Sequence, residues 1–315
     1  MIDPSPSNQG TAAVGTVRIR RADRRSQRST LAMMLTGQAD ERDPAVGQFL
    51  RFASDAELSL EELWLAERNN RPLAAALVVP NAGRTAMLFL SPLRHRADLP
   101  VSQDLAHQAV SRQDGRKIRL IQALLEPSQQ MEREALAGAG FVDLAQLLYM
   151  GCDTNGSGAH LRLDGAIQVV HWSRRERDLF ALATTDSYRD TLDCPGLLGL
   201  RQIDDILTGH MATGQFVPQL WFALRYEDEP VGVMLLNLVP QRPAIELVYL
   251  GLTPQWRGRG LGRHLVRHGL WLAPRYQASE MILAVDQANT PALALYRSIG
   301  FVQTARKLAM IFTLP

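Results

Sequence analysis

Residues 244–263 read AIELVYLGLTPQWRGRGLGR, and this stretch decides the fold. It begins with apolar and β-branched residues typical of a strand, and Pro254 ends that strand because proline cannot donate to a ladder. Three alternating glycines follow, and Leu261 and Leu265 then recur at helical spacing. The stretch therefore predicts a strand, a glycine-rich turn and a helix in immediate succession.

The glycine-rich turn has the composition of a pyrophosphate-binding site. Glycines let backbone N–H groups approach an anion closely, and the helix N-terminus adds a favourable dipole. Arg257, Arg259 and Arg263 supply positive charge beside them. The turn lacks the GxxxxGK[ST] pattern of a P-loop, and its GxGxG spacing differs from the GxGxxG of a dinucleotide fold. A plain strand-to-helix turn is the alternative, which the density of glycine and arginine disfavours.

Two ordered elements of the second half resemble the GNAT superfamily of acyl-CoA-dependent N-acetyltransferases. Residues 257–262 (RGRGLG) fit the family pattern (Gln/Arg)-x-x-Gly-x-(Gly/Ala), and residues 289–301 (NTPALALYRSIGF) fit its later Asn, Ala, Tyr and Gly-Phe positions. The resemblance runs from about residue 219 to residue 312, and residues 17–22 resemble a GNAT first strand. It implies an α/β (α+β) fold with a mixed, mostly antiparallel central sheet flanked by helices.

The resemblance also implies acetyl-CoA as co-substrate and a role for each matching residue. Leu250 and Leu252 would pair through their backbone with the acetyl carbonyl and the pantetheine arm, where the strand splays from its neighbour. The Leu250 N–H would stabilise the developing oxyanion. Asn289 would position the cofactor, and Tyr296 would protonate the departing thiolate. The pyrophosphate would be held by Arg257, Gly258, Arg259, Gly260, Leu261, Gly262 and Arg263.

Glu246 is the candidate general base. An alkyl amine has a pKa near about 10.4, so it is mostly protonated at neutral pH and needs a proton acceptor before it can attack. Glu246 lies seven residues before Thr253, where histone-class acetyltransferases carry a catalytic glutamate. The alternative is that Glu246 is a solvated strand residue without a catalytic role. Many family members use other bases.

Residues 187–196 (SYRDTLDCPG) are candidates for acceptor binding. In GNAT folds the region after the first strand helps to form the acceptor pocket, so Tyr188, Asp190 and Asp193 would contact the amine. Cys194 is a conceivable acyl carrier, although GNAT enzymes transfer the acyl group directly. A helix end followed by a turn explains the same residues equally well.

The two halves of the chain repeat one pattern. Residues 137–141 (AGAGF) correspond to residues 297–301 (RSIGF) at an offset of 160, and Ser91-Pro92 corresponds to Thr253-Pro254 at an offset of 162. We predict two tandem GNAT-like domains, similar in architecture to the mycothiol synthase family. The expected bounds are a disordered tail at 1–15, domains at 16–152 and 159–315, and a linker at 153–158. Residues 60–64 (LEELW) are expected to be helical.

The first half lacks the residues that the resemblance makes functional. Residues 95–100 (HRADLP) replace the glycine-rich turn, with Asp98 where a phosphate would sit and Pro100 without an N–H. At these offsets Tyr296 corresponds to Leu136, Asn289 to Gln129 and Glu246 to Arg84. We therefore predict a degenerate first domain that is structural or forms one wall of the acceptor site.

The composition limits the classes of partner. The 315 residues carry a formal net charge of +2, which gives no electrostatic case for nucleic acid or an anionic membrane, and six arginines within residues 18–28 are interpreted as a solvated surface. No apolar run is long enough to span a membrane, and the N-terminus lacks signal-peptide features, so we expect a cytoplasmic protein. His264 and His268 are expected on an exposed helix face without a metal.

Together these features predict an acetyl-CoA-dependent N-acetyltransferase that acts by direct attack in a ternary complex. Its acceptor would be a small-molecule or peptide amine, and the sequence leaves open the acceptor's identity, the acyl chain and the oligomeric state. The alternatives are a non-catalytic acyl-CoA-binding regulatory or scaffold protein and a small-molecule acetyltransferase similar to mycothiol synthase.

Overall fold

Each half of the chain contributes six strands and four helices in the same order. The computed structural model describes residues 16–156, 158–163 and 165–315. The first half contains β1 (Arg18–Arg21), α1 (Gln27–Thr36), α2 (Pro44–Asp55), β2 (Leu63–Arg68), β3 (Arg71–Asn81), β4 (Thr85–Leu90), α3 (Leu99–Ser111), β5 (Leu120–Leu125), α4 (Gln130–Gly138) and β6 (Val142–Asp153). The second half contains β7 (Ile167–His171), α5 (Arg177–Ser187), α6 (Ile203–Ala212), β8 (Gln215–Tyr226), β9 (Glu229–Leu238), β10 (Ala244–Leu252), α7 (Leu261–Leu272), β11 (Glu280–Asp286), α8 (Thr290–Ile299) and β12 (Val302–Thr313).

All twelve strands join one sheet, and the last strand of each half adds to the other half. The order is β1-β2-β3-β4-β5-β12-β6-β11-β10-β9-β8-β7. β12 pairs with β5, and β6 pairs with β11, so the two halves are interlocked by strand exchange. The sequence did not predict this exchange. The predicted domain bounds stay a prediction, and the predicted tail at 1–15 lies outside the described residues.

The sheet is mixed and mostly antiparallel, with helices packed on both faces, which confirms the predicted fold class. Parallel pairing occurs between β4 and β5 and between β10 and β11. In the second half one face of the sheet packs against α7 and α8 through residues such as Leu265, Leu270 and Leu293. The other face packs against α5 and α6 around Phe180 and Trp221. Alternate residues of β8 and β9 therefore enter opposite cores.

A bulge and a short parallel ladder shape the centre of the second half. The pairing of β10 with β9 shifts register between Leu247 and Tyr249, which makes Val248 the bulged residue. β10 pairs with β11 only from Ala244 to Glu246, although both strands continue. The strands therefore part beyond Glu246, where the sequence predicts a splay, and the backbone of β10 faces a gap.

Two sequence expectations about local structure are wrong. The segment expected to be helical near Trp64 turns into strand β2, because it pairs with both β1 and β3 and tertiary pairing overrides its helical pattern. His268 is buried rather than on an exposed face, and its Nδ1 accepts a hydrogen bond from the Leu161 N–H at 3.1 Å. Within the described residues, none of the helices is long and apolar enough to cross a membrane.

Candidate active site

The glycine-rich turn presents free backbone donors at the start of α7. Gly258 and Gly260 have φ values of 73° and 80°, a region that disfavours side chains, and a Cβ added at either would meet nothing within 4 Å. In the described part of the chain, the N–H groups of residues 258–262 have no protein acceptor. The helix thus begins with unpaired donors that face open space, which is the arrangement that binds an anion.

Gly262 has a different purpose, because it lets two helices approach each other. A Cβ on Gly262 would lie 3.3 Å from Cδ2 of Leu295 in α8, closer than an ordinary contact. α7 and α8 can therefore meet beside the turn. This contact fixes α8, and with it Tyr296, relative to the free donors.

A cavity of about 530 Å³ fills the gap between the parted strands. One wall is the bulged part of β10 and the opposite wall is formed by Ala284 and Val285 of β11. The remaining walls are the turn and α8. Of the residues that the sequence assigns to the site, those lining this cavity are Asp193, Leu250, Leu252, Arg257, Gly258, Gly260, Leu261, Gly262, Arg263, Asn289 and Tyr296.

Arg257 makes contacts that differ from the phosphate contacts expected of it. Its guanidinium donates to four backbone carbonyls at 2.7–3.2 Å, those of Leu252, Ser187, Arg189 and Asp190. These bonds tie the segment after α5 to the end of β10. Four of its five N–H groups are thus engaged, so Arg257 clamps two walls of the site, and its contact with phosphate stays a prediction.

The other two arginines of the turn are less constrained. The Arg259 guanidinium lies over the Trp256 ring, 4.6 Å from its centroid, and Arg259 is outside the wall of the cavity. Arg263 lines the cavity and donates to Ser298 Oγ at 2.8 Å. Arg263 is thus the arginine of the turn best placed to add charge to a bound anion.

Asn289 caps a helix at the edge of the same cavity. Its Oδ1 accepts a hydrogen bond from the Ala292 N–H at 3.3 Å, which satisfies one free donor at the start of α8. Its amide nitrogen is left for other acceptors. The residue therefore orients α8, a structural role that accounts for the sequence pattern alongside the predicted contact with cofactor.

Tyr296 is buried against Phe301, yet it lines the cavity. Burial raises the pKa of Tyr296, and the negative charge of Asp193 raises it further. The hydroxyl therefore stays protonated at neutral pH. A phenol that keeps its proton beside the gap can give it to a departing group, as the resemblance implies.

Asp193 joins the first cavity to a second one of about 690 Å³. The two cavities share Asp193, Val248 and Tyr249. An Asp193 oxygen accepts from the Asp286 N–H at 3.3 Å, and an Asp286 oxygen accepts from the Cys194 N–H at 3.2 Å. Burial raises the pKa of Asp193, as does the charge of Asp286. Asp193 is thus a fixed carboxyl group that reaches both spaces.

The other predicted acceptor residues also lie around the second cavity. Burial raises the pKa of Tyr188 to about 12, and its ring packs against Tyr249 at 5.5 Å. Asp190 lines the cavity in a left-handed backbone conformation with a φ of 54°. Burial, Asp193 and Asp286 raise the pKa of Cys194 to about 12. The thiol therefore stays protonated, which argues against an acyl carrier.

Glu246 is half-buried but lies outside the walls of both cavities. It stands opposite Asn237 of β9 and Ile282 of β11, at the last paired position before the strands part. Burial raises its pKa, which would suit a base near neutral pH. Its assignment as the base stays a prediction, and Asp193 has the more direct access.

Sequence reasoning missed Arg201 and His210, which line the second cavity. Both lie in or before α6, far along the chain from the glycine-rich turn. No spacing pattern connects them to it, so the fold alone brings them into the site. In the described residues, no cluster of three or more His, Cys, Asp or Glu side chains has metal-binding geometry.

Residues 194–301 match the acetyltransferase (GNAT) family. The peptidyl-lysine N-acetyltransferase YjaB of Salmonella typhimurium is 38% identical over 93 residues, which cover 29% of this chain and 57% of that protein. The mycothiol acetyltransferase of Corynebacterium glutamicum is 45% identical over 60 residues, covering 19% and 20% respectively. The chain thus spans little more than half the length of YjaB and about a fifth of the mycothiol acetyltransferase.

Solved structures show the same fold over almost the whole chain. A GCN5-related N-acetyltransferase from Sphaerobacter thermophilus superposes with a TM-score of 0.60 at 16% identity, covering 94% of this chain and 95% of that one. A glucosamine N-acetyltransferase region of a fungal multi-domain β-N-acetylglucosaminidase gives a TM-score of 0.57 at 13% identity and covers 98% of this chain. At these identities the likeness concerns the fold.

Proposed function

We propose that the chain transfers an acetyl group from acetyl-CoA to a primary amine, because residues 194–301 match the acetyltransferase (GNAT) family. The observation that supports this most is the junction of two cavities at Asp193. One cavity has free backbone donors and a protonated tyrosine, and the other has room for an acceptor. Transfer by direct attack requires such adjacent sites for donor and acceptor.

Two features of the first cavity suit acetyl-CoA: the backbone N–H groups of the turn, and the part of β10 that is not paired with β11. The N–H groups of residues 258–262 would hold the pyrophosphate, and Arg263 would add charge. The pantetheine arm would extend along the unpaired edge of β10, as an added strand does. Bound acetyl-CoA supplies an acetyl group activated as a thioester.

Side chains of the protein would accept and donate the protons that the reaction transfers. Asp193 would accept the proton of the ammonium group and orient the free amine towards the first cavity. The amine nitrogen bonds to the acetyl carbon as the carbon–sulfur bond breaks. The Leu250 N–H would stabilise the negative charge on the acetyl oxygen, and Tyr296 would give its proton to the sulfur. The new amide nitrogen would release its second proton, which would restore the Tyr296 hydroxyl. Glu246 is the second candidate for the base.

Calorimetric titration with acetyl-CoA, followed by thiol release in the presence of amines, tests this function. We expect one binding site per chain and thiol release that depends on an added amine. Asp193→Asn and Glu246→Gln, measured side by side, identify the base as the variant that loses turnover without losing acetyl-CoA affinity.

Three other outcomes would change the proposal. Two sites per chain would mean that the first half also binds acetyl-CoA. No binding would remove acetyl-CoA as the donor. Binding without amine-dependent release across a broad panel of amines would favour a non-catalytic acyl-CoA-binding protein.

A further inference from the structure

Arg201 is a largely buried cation with no carboxylate partner in the described part of the chain. Its Nη2 donates to the backbone oxygen of Asp205 at 3.1 Å, while its Nε is buried and has no acceptor. The Asp205 carboxylate instead lies 3.9 Å from Arg84. Burial lowers the pKa of Arg201, although nearby Tyr188 and Asp205 oppose this. A guanidinium held this way is poorly compensated without an anion.

His210 places a second unsatisfied polar atom in the same wall. Its ring stacks on Tyr249, with centroids 5.6 Å apart, and its Nε2 is buried without a hydrogen-bond partner among the described residues. Burial lowers the pKa of His210 to about 4, and the charge of Arg201 contributes. The ring is therefore neutral at neutral pH, and the tautomer with its proton on Nε2 is a donor.

Arg201 and His210 both line the second cavity. Arg201 and His210 also line a smaller cavity of about 340 Å³ that shares no lining residue with the first cavity. Asp193 lies where the second cavity meets the first. The wall also carries a group of apolar side chains, Leu197, Leu198, Ile203 and Ile206.

We propose that the acceptor is a small amine that also carries a carboxylate, with an apolar body between the two groups. The carboxylate would bind Arg201 and His210, and the amine would reach Asp193. The planar guanidinium suits a carboxylate, and an anion in the cavity would compensate the charge of Arg201, which has no carboxylate partner among the described residues. This inference rests on the proposed function for the amine end, while the anion site stands on Arg201 and His210 alone.

Matched pairs of acceptors test the proposal with the full-length protein. The first pair is 6-aminohexanoate and 6-aminohexanamide, whose amines have similar basicity. 5-Aminopentanoate and 8-aminooctanoate, each with its amide, extend the panel, and their rates are compared at equal concentrations of unprotonated amine. For at least one pair, we expect kcat/KM for thiol release to favour the acid by about tenfold or more, the range for a hydrogen bond to a charged group.

Two variants assign the preference to the anion site. Arg201→Met should reduce the preference for the acid to near unity, whereas Arg175→Gln, which removes an exposed arginine of the same half, should preserve it. Arg201→Met should also fold as stably as the wild type, because it removes an unpaired buried charge. If that variant does not fold, Arg201→Lys is used instead. It keeps the positive charge but loses the planar guanidinium, and should weaken the preference for the acid.

Equilibrium binding of the same probes separates this inference from the proposed function. Binding of an acid that depends on Arg201, without turnover of any amine, would support the anion site and reject the acetyltransferase activity. Equal or better use of the amides throughout the panel would overturn the anion site. A preference for acids that survives Arg201→Met would overturn it as well.

Discussion

The two halves of the chain place a strand-to-helix turn at the same point of the same fold, but only the second turn is rich in glycine. In each half the strand before the turn pairs in parallel with the next strand over three residues and then ends its pairing. In the second half the N–H groups of residues 258–262 lack protein acceptors within the described chain. The splay is therefore common to both halves, whereas the glycine-rich turn is not.

The first half closes the equivalent region with its own side chains. The Glu132 carboxylate is buried and accepts the Leu93 N–H at 2.8 Å, just before the turn. Asp98 and Pro100 follow, adding a negative charge and removing one N–H. We therefore expect ligand binding to depend on the residues of the turn rather than on the fold that holds it.

The connection between the first two helices is longer in the second half than in the first. In the first half residues 37–43 join α1 to α2, whereas in the second half residues 188–202 join α5 to α6. The longer connection carries Asp193 and Arg201 and forms a wall of the second cavity. The longer connection thus lines the cavity that we propose for the acceptor.

The largest expected effect concerns Asp193, which the shorter connection of the first half lacks. Asp193→Asn should lower the rate of amine acetylation by about a hundredfold, the usual contribution of a general base. Acetyl-CoA affinity should change little, because asparagine keeps the oxygen that accepts the Asp286 N–H. Steady-state thiol release and calorimetry measure the two quantities.

The stability of the same variant provides the control. Burial raises the pKa of Asp193 in the folded state, so the native carboxyl contributes its full stability below the unfolded pKa of about 3.9 and loses it as the pH rises through the raised value. Asp193→Asn should therefore unfold at a higher temperature than the wild type at pH 8, and the difference should vanish near pH 4. A variant that is less stable at pH 8 would contradict this account.

The next largest effect is expected when a glycine of the second turn is replaced by the residue at the equivalent position of the first turn. Gly260→Asp copies Asp98, places a side chain at a φ of 80° and adds a carboxylate to an anion site. Strain and repulsion together should weaken acetyl-CoA binding by about thirtyfold to a hundredfold. The matched variant Gly260→Asn has the same shape and tolerates this backbone region, so about a tenfold difference between the two isolates the charge. Equal affinities would mean that the turn does not bind phosphate.

Tyr296→Phe should have a smaller effect, because a thiolate is a good leaving group with a pKa near about 8.5. We expect thiol release to slow by about tenfold while acetyl-CoA affinity stays within about twofold. Tyr276→Phe, which removes a hydroxyl outside the cavity, is the control and should leave both quantities unchanged. Equal losses of rate and affinity in Tyr296→Phe would show that the hydroxyl helps to bind the cofactor rather than supplying a proton.

The sequence predicted the parts of this site that depend on local pattern. The strand from Ala244 to Leu252, the glycines and the following helix are where residues 244–263 indicate them, because strand composition, proline and glycine act locally. The roles of single side chains were harder to predict from the sequence. Arg257 satisfies carbonyls of a segment almost seventy residues earlier in the chain, a contact that no spacing could reveal.

Long-range pairing explains the other differences. The offset of 162 relates Glu246 to Arg84, but the parallel ladders relate it to Met87, because Thr85 and Ala244 begin the two ladders. The bulge and the extra length of β10 shift the register between these points. The exchange of β6 and β12 was equally inaccessible, since either strand could have paired within its own half.

The smallest functional effect should follow from opening the first turn. Glu132→Ala leaves the buried Leu93 N–H without its acceptor, which should cost about 1–3 kcal/mol of unfolding free energy. Glu134→Ala, which removes an exposed ion pair with Arg96, should cost less than about 1 kcal/mol. Neither change should alter the affinity or stoichiometry of acetyl-CoA, because Asp98 and Pro100 still block the turn. A second acetyl-CoA site in Glu132→Ala would show instead that one carboxylate, rather than the missing glycines, separates the two halves.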